Sequence, residues 1–265
     1  MRERYVLLSF DVEEFDMPLE YEYPVTVDEQ MRVGKAGLDA IMPLLEDSSV
    51  EATLFTTASF AMQYPEPVRA LSGKHEIASH TFFHSHFVDA HLHSSRTKLE
   101  EITGKKVTGL RMPRMREVSM EEVKKAGYLY DSSINPTWLP GRYDNRHLPR
   151  TWYREEGMLR IPASVSPQFR IPLFWLSFKN FPYDIFKKLV KQTLAKDGYV
   201  CLYFHPWEFT SIDGYALPAY TRKPDGVQLF NKLTRLVYEL KSEGEFISMG
   251  RFADKKAPAF AEADA

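Results

Sequence analysis

Two histidines and two carboxylates have spacings that suit a metal site. His80 and His84 stand four residues apart, which would bring both imidazoles to one side of a helical turn, within reach of one ion. A catalytic zinc-type site takes three protein ligands and leaves one position open for water, so this pair needs a carboxylate. Asp11 and Glu13 offer one, because side chains alternate along an extended chain and both would point to the same side. One carboxylate can then bind the ion while the other accepts a proton.

Neighbouring residues compete for these roles. Glu14 and Asp16 directly follow the first acidic pair, so the carboxylate ligand stays open between Glu13 and Glu14. A solvated acidic loop is the plain alternative for the whole cluster. Four further histidines are expected to be structural: His75, His86, His91 and His93.

Ionisable residues recur where apolar runs end. Asp11, His80 and His205 each close such a run, and Arg111 follows another. In parallel α/β folds the active site forms at the C-terminal ends of the strands, so these coincidences indicate one shared site.

The run that ends in His205 shows the same alternation. Cys201, Tyr203 and His205 would share one face, which puts the imidazole at the mouth of a barrel, where it can donate a proton to a leaving group. Cys201 lies deeper and has no adjacent base in sequence, so we interpret it as a small buried hydrophobe.

Short apolar runs alternate with longer stretches of helical character. This order predicts a mostly parallel sheet, open or closed into a barrel. Residues 135–150 have weak periodicity and are expected to form a long loop over one end of the sheet. We predict one domain over residues 1–253 and a flexible tail over 254–265. The predicted strands are residues 5–11, 52–58, 76–81, 107–112, 128–134, 158–163, 199–205 and 245–249, and the predicted helices are 30–45, 66–71, 88–102, 117–126, 183–195 and 226–241.

The composition excludes several classes of protein. With 34 basic and 36 acidic residues in 265, the chain has a formal net charge of −2, which argues against nucleic acid as a partner. Apolar residues make up 44% of the chain, enough for a folded core. A single cysteine excludes an intramolecular disulfide and a cysteine-based zinc cluster.

Neither a secretory signal nor a run of about 18 apolar residues is apparent, so no membrane span and a cytoplasmic location are expected. The sequence makes no prediction of an oligomeric state.

Four motifs together resemble the polysaccharide deacetylases, the NodB-homology group of carbohydrate esterases. They are Ser9-Phe-Asp-Val-Glu13, Glu76-Ile-Ala-Ser-His-Thr-Phe-Phe-His84, Arg111-Met-Pro113 and Leu202-Tyr-Phe-His-Pro-Trp-Glu208. They occur in the family's order over residues 9–208. Their residues are most similar to those of the branch associated with bacterial exopolysaccharide loci. The resemblance implies an α/β fold, a single distorted (β/α) barrel of the NodB-homology type with about seven parallel strands.

The resemblance also implies roles for residues. Asp11 would be the general base, His80 and His84 metal ligands, and His205 the general acid. Arg111 would orient Asp11 through a charge-assisted hydrogen bond. Asp131 would be a partner of His205, and the remaining candidates for contact with substrate or its neighbours are Pro113, Arg114, Tyr203 and Trp207.

Two positions depart from the family pattern. The family's third metal ligand directly follows the base, where this chain has Val12, so Glu13 would take that role by same-face alternation. Arg114 stands after Pro113, where an aromatic residue is usual.

The implied activity is metal-dependent hydrolysis of an N-acetyl group on an amino sugar or glycan. The cofactor would be one divalent ion, zinc, with cobalt, nickel or manganese as alternatives; it would activate water while Asp11 takes a proton and His205 gives one. Aromatic residues proposed to stack on sugar rings are Trp207, Trp138 and Trp152.

Two other functions stay open. An allantoinase-like enzyme of the same fold would hydrolyse a small non-sugar amide. A catalytically inactive carbohydrate-binding homologue would keep the barrel without turnover, and the Val12 departure is the main support for it.

Overall fold

The computed structural model describes residues 3–257, and the chain there alternates strands with helices. The strands are β1 (Tyr5–Val12), β2 (Ala52–Thr56), β3 (Glu76–Ser79), β4 (Gly109–Leu110), β5 (Tyr130–Asp131), β6 (Trp138–Leu139), β7 (Tyr143–Asp144), β8 (Tyr153–Glu155), β9 (Met158–Arg160), β10 (Tyr199–Phe204) and β11 (Glu245–Phe246). The helices are α1 (Val27–Leu45), α2 (Ala58–Gln63), α3 (Pro65–Leu71), α4 (Ala90–Thr103), α5 (Met120–Lys125), α6 (Trp175–Asn180), α7 (Tyr183–Asp197), α8 (Ala219–Arg222), α9 (Gly226–Leu240) and α10 (Met249–Lys256). Three 3-10 turns lie at Met17–Tyr21, Pro113–Met115 and Pro206–Phe209.

One sheet organises these elements. Its order is β10-β1-β2-β3-β4-β5-β9-β8, parallel from β10 to β9, with β8 antiparallel at the end and β11 pairing with the start of β1. The segment after β9 returns to β10, where the Ser164 N–H donates to the Cys201 carbonyl at 3.0 Å. The sheet therefore curls into a distorted barrel with seven parallel strands along its main path, as the family resemblance implies.

The two faces of the sheet carry different residues. On β1, Val6, Leu8, Phe10 and Val12 belong to the outer core, which packs against the helices. Tyr5 and Leu7 instead belong to a smaller core inside the barrel. The inner face continues upward to Ser9 and Asp11, so the alternation predicted from the sequence is confirmed.

The helix α10 closes the barrel at the end opposite the carboxyl ends of the strands. Ser248 caps it by accepting the Arg251 N–H at 3.3 Å. Phe252 packs on Tyr5 and Tyr199, with ring centroids 6.1 and 4.7 Å apart. Helix α10 thus closes the barrel at the end where the strands begin. The other end, at the carboxyl ends of the strands, is here called the upper end, and it carries the polar residues.

Some predicted boundaries change. Except for β1, which extends one residue further to Val12, the strands are shorter than predicted, because the apolar runs continue into loops over the barrel ends. The expected loop 135–150 contains a hairpin, β6–β7. Residues 254–256 of the predicted tail are helical, and residues 258–265 lie outside the described part. Within residues 3–257, no helix is long and apolar enough to cross a membrane.

Candidate active site

Glu13, His80 and His84 converge at the upper end of the barrel. One oxygen of Glu13, Oε2, lies 2.9 Å from His80 Nε2 and 3.1 Å from His84 Nε2. All three residues are buried or nearly so, and their ligand atoms lie within 4.8 Å of one another. Glu13 directly follows β1, which ends at Val12, and its side chain points to the same face as Asp11. The Glu14 carboxylate points away and accepts a hydrogen bond from the Thr57 hydroxyl at 2.7 Å.

The two imidazoles come together without a helical turn. Residues 80–84 form an irregular loop after β3, in which Thr81 has a left-handed φ of 63°. The rings stack with centroids 5.6 Å apart. The expectation of a shared ion thus keeps its geometry, but the helical reason for it is wrong.

Each histidine has its second nitrogen occupied. His80 Nδ1 donates to the Arg111 carbonyl at 2.7 Å, and His84 Nδ1 donates to Asp16 Oδ1 at 2.7 Å. With Nδ1 as the donor, the neutral form of each imidazole keeps its Nε2 lone pair free for an ion, which is the tautomer a metal ligand needs.

The residues present fit a divalent metal ion. Glu13 Oε2 and His80 Nε2 are buried and lack a hydrogen-bond partner within the described residues, although they are close together. Converging polar atoms without hydrogen-bond alignment suit ligands of one ion, and two imidazoles with one carboxylate are a zinc-type donor set.

The buried charges of Glu13 and His84 shift each other's pKa values. Burial alone would raise the pKa of Glu13, but His84 and His80 outweigh it and hold that pKa well below its usual range. Burial would lower the pKa of His84, but Glu13 and Asp16 raise it to about 9. The buried carboxylate of Glu13 therefore stays ionised and favours a positive charge, a proton or a cation, next to it.

Asp11 and Arg111 form a buried pair next to this group. Arg111 Nη1 donates to Asp11 Oδ1 at 2.7 Å and to Ser9 Oγ at 3.0 Å. The guanidinium lies 4.1 Å from the Phe55 ring centroid and 5.0 Å from that of Tyr203. Arg111 is completely buried, so it fixes one carboxylate oxygen of Asp11 in place.

His205 faces the same space from β10. Its Nε2 lies 3.9 Å from Asp11 Oδ2, and its Nδ1 lies 3.1 Å from Glu208 Oε1. Burial would lower the pKa of His205, but the hydrogen bond to Glu208 and the charges of Glu13, Glu208 and Asp11 raise it above its ordinary value. The protonated imidazole is therefore favoured, with Nε2–H directed into the cavity.

A buried lysine stands behind Glu208. Lys179 Nζ lies 3.3 Å from Glu208 Oε2, and both side chains are fully buried. The lysine also donates to the Thr221 carbonyl at 2.7 Å, which ties α6 to α8. The 3-10 turn after β10 places Glu208 because its Oε1 also accepts the His205 N–H at 2.9 Å.

A cavity of about 310 Å³ opens over these residues. Asp11, Glu13, His80 and His205 line its polar part. The wall is largely apolar and aromatic, made by the turn after β1, the β6–β7 hairpin and the segments at α6 and α8. Its apolar and aromatic residues include Met17, Tyr21, Leu139, Tyr143, Trp175 and Tyr220.

Several predicted positions differ from expectation. Asp131 pairs with Arg160 at 2.9 Å and accepts hydrogen bonds from Ser133, so Glu208, not Asp131, contacts His205. Trp207 is 1% exposed, stacks on His205 at 4.8 Å and donates to Glu13 at 3.1 Å. This buried ring has no free face for a sugar, and it supports His205 and Glu13 by these two contacts instead.

The other candidates fall into two groups. Tyr203 and Arg114 line the cavity, while buried Pro113 starts the turn that presents Arg114. Trp138 is exposed on the hairpin, and Trp152 packs against the inner core far from the cavity. Cys201 is buried, and burial raises its pKa to about 11, as expected for a small hydrophobe.

Sequence reasoning gave no role to three residues at the site. Glu208 stands three residues after His205, a spacing that could have indicated a cap on the following turn. Asp16 appeared only as a competing carboxylate. Lys179 has no sequence signal, because its contact with Glu208 depends on the packing of α6.

Comparison with known proteins agrees with this fold. A structure assigned as a polysaccharide deacetylase from Mycobacterium smegmatis has 18% identity and a TM-score of 0.63, over 95% of this chain and 89% of that one. A second, from Pseudomonas aeruginosa PAO1, has 17% identity and a TM-score of 0.64, over 95% and 90%. An allantoinase has 18% identity and a TM-score of 0.61, over 95% and 89%. At these identities the likeness establishes the fold, the NodB-type barrel.

The sequence itself matches a family model. None of the curated proteins matches the chain. The model described as polysaccharide deacetylase matches residues 2–130, which include Asp11, Glu13, both histidines of the metal-type group and Arg111. His205 and Glu208 lie beyond the matched segment and join the site through the barrel. Residues 2–130 thus resemble the polysaccharide deacetylase family, and the solved structures extend the likeness in fold to the rest of the barrel.

Proposed function

We propose that this protein is a metal-dependent hydrolase that removes the N-acetyl group from an amino sugar or glycan. One observation carries the proposal: a buried Glu–His–His group, the Asp11–Arg111 pair and His205 face one cavity. Hydrolysis of an amide needs an activated water, a proton acceptor and a proton donor, and this cavity offers residues for each.

Glu13, His80 and His84 would hold the ion, and zinc suits their donor set. When bound, a divalent ion supplies a Lewis acid that makes water more acidic and polarises an acyl oxygen. The valine at position 12, where the family has a metal ligand, is compatible with this site, because its side chain packs in the outer core and faces away from the cavity. Glu13 reaches the histidines from the inner face.

Asp11 would accept the proton of the attacking water. Arg111 occupies Oδ1, which leaves Oδ2 on the side of His205 as the accepting atom. The oxygen of the water then bonds to the acyl carbon.

His205 would complete the reaction as the acid. Its Nδ1–H is held by Glu208, so its Nε2–H can be given to the sugar nitrogen as the carbon–nitrogen bond breaks. Acetate and the free amine leave. Asp11 then loses the proton that it took and His205 regains the proton that it gave, both by exchange with solvent. The 3.9 Å separation of Asp11 Oδ2 and His205 Nε2 keeps the two residues near one reacting centre.

A small cyclic or linear ureide is the second candidate substrate. The same acid, base and metal-type ligands would hydrolyse its carbon–nitrogen bond, and the likeness to an allantoinase supports including it. The aromatic part of the cavity wall favours the sugar, since rings of Trp175 and Tyr220 can pack on sugar C–H groups.

The test is acetate release by the zinc-loaded protein from a panel of N-acetylated mono- and oligosaccharides. Ureides are assayed in parallel for product amine. We expect turnover of at least one N-acetylated sugar, abolished in the His205→Ala variant. Turnover of ureides alone would replace the proposal by the second candidate. A zinc-loaded protein that turns over neither class would support the inactive, carbohydrate-binding alternative.

A further inference from the structure

The two histidines of the metal-type group are supported very differently. His80 directly follows β3, where its N–H donates to the Thr56 carbonyl at 2.9 Å and its ring is held by the Arg111 carbonyl. His84 stands four residues further on, in an irregular loop. Its place cannot come from the sheet, so it depends on side chains from other segments.

Arg114 contacts both His84 and the partner of its imidazole. Its Nη1 donates to the His84 carbonyl at 3.2 Å, and its Nη2 donates to Asp16 Oδ2 at 2.9 Å. The other oxygen of Asp16 accepts from His84 Nδ1 at 2.7 Å. One guanidinium thus fixes the backbone of His84 directly and its ring through Asp16.

The guanidinium is itself held from a third side. Its Nε donates to Glu20 at 2.5 Å, and Glu20 also pairs with Arg142 at 2.8 Å. Arg114 and Met115 both have left-handed backbones, with φ of 57° and 53°, which residues with side chains adopt rarely. This turn directs Arg114 back towards the loop that carries His84, and only a fork-shaped cation can make all three contacts.

From this geometry we propose that Arg114 is a positioning residue for the metal ligand His84, acting through Asp16 and through the His84 carbonyl. The inference rests on the proposed metal site. Groups that orient a ligating imidazole set both its tautomer and its direction, so their loss weakens metal binding. A phenylalanine at position 114 would have no donor for Asp16, and no aromatic side chain has the fork that reaches Asp16, Glu20 and the His84 carbonyl together.

The experiment measures zinc affinity by competition with a chelator, using the full chain stripped of metal. We expect Arg114→Met and Asp16→Asn each to raise the Kd about 10- to 100-fold. The double variant should bind no more weakly than the weaker single one, because both act on the same imidazole. Exposed Arg116, which lies over Phe87, is the matched control, and Arg116→Met should stay within about threefold.

The visible absorption of the cobalt-loaded protein gives a second readout, which would not change if Arg114 only stabilised the fold. This absorption should change in Arg114→Met and stay unchanged in Arg116→Met, because the direction of the His84 ligand differs only in the first. Arg114→Lys, which keeps the charge but not the fork, replaces Arg114→Met if that variant does not fold.

Two results would contradict different parts of the argument. A Kd within threefold in Arg114→Met, when His84→Ala loses zinc, would overturn the positioning role alone. An unchanged Kd in His84→Ala would overturn the metal site of the proposed function itself.

Discussion

The buried pair of Lys179 and Glu208 allows a quantitative test of how the proton donor is supported. Both side chains are fully buried, with Nζ 3.3 Å from Oε2 in an alignment too poor for a hydrogen bond. Their interaction is therefore mainly charge on charge. Removing one partner leaves the other charge buried without compensation, which costs about 3 to 5 kcal/mol.

The perturbations are Lys179→Met, Glu208→Gln and the double variant. In Glu208→Gln the amide oxygen can still accept the two hydrogen bonds from His205, so the loss measured is that of the charge. Each single variant should lower the melting temperature by about 6 to 20 °C, at about 2 to 4 °C per kcal/mol. The double variant removes both charges of the Lys179–Glu208 pair together, and its further loss on the lysine side is the donor to the Thr221 carbonyl, about 1 kcal/mol.

The assay is reversible urea unfolding followed by circular dichroism, with melting temperatures as a second measure. We expect the double variant to recover more than half of the stability that either single variant loses. Free energies that simply add, so that the double variant is the least stable of the three, would refute the view that these charges compensate each other.

Three further predictions concern the reaction. His80→Ala should abolish both metal content, measured by elemental analysis, and acetate release; a variant that keeps turnover would remove the metal site from the mechanism. Asp11→Asn should lower kcat by about 10²- to 10⁴-fold in an acetate-release assay, with zinc content unchanged; a loss of zinc instead would make Asp11 a ligand. Because Glu208 and the nearby carboxylates raise the pKa of His205, the acid form persists above its ordinary 6.5 and is lost as pH rises through the raised value. The alkaline limb of kcat should therefore move to lower pH in Glu208→Gln, and a limb that does not move would exclude His205 as the acid.

Features set by local periodicity could be predicted from the sequence. The alternation along β1 brings Asp11 and Glu13 to the inner face, and the same rule on β10 brings Tyr203 and His205 there. The alternating order of strands and helices predicted a mostly parallel sheet. Period and order are properties of the sequence alone, which is why these inferences agree with the structure.

Features set by contacts between distant segments were missed. The helices α2, α6 and α8 are too short to show a clear period, so their sequences resemble loops. The partner of His205 was assigned to Asp131, but Asp131 meets Arg160 across the neighbouring strand β9. Which of two carboxylates reaches an imidazole depends on the curl of the sheet, and no local pattern encodes that curl.

The contacts of Arg111 have a consequence for how this protein can change. Its guanidinium stacks on Phe55 and Tyr203 within the barrel while it holds Asp11. Interior packing and the proposed base therefore share one side chain, and a smaller residue at position 55 would free the guanidinium to shift. Substitutions that improve or relax the barrel interior will alter turnover as well as stability. Diversification of this protein is consequently easier at the cavity wall, on the hairpin and the turns, than in the layer beneath the proposed reacting groups.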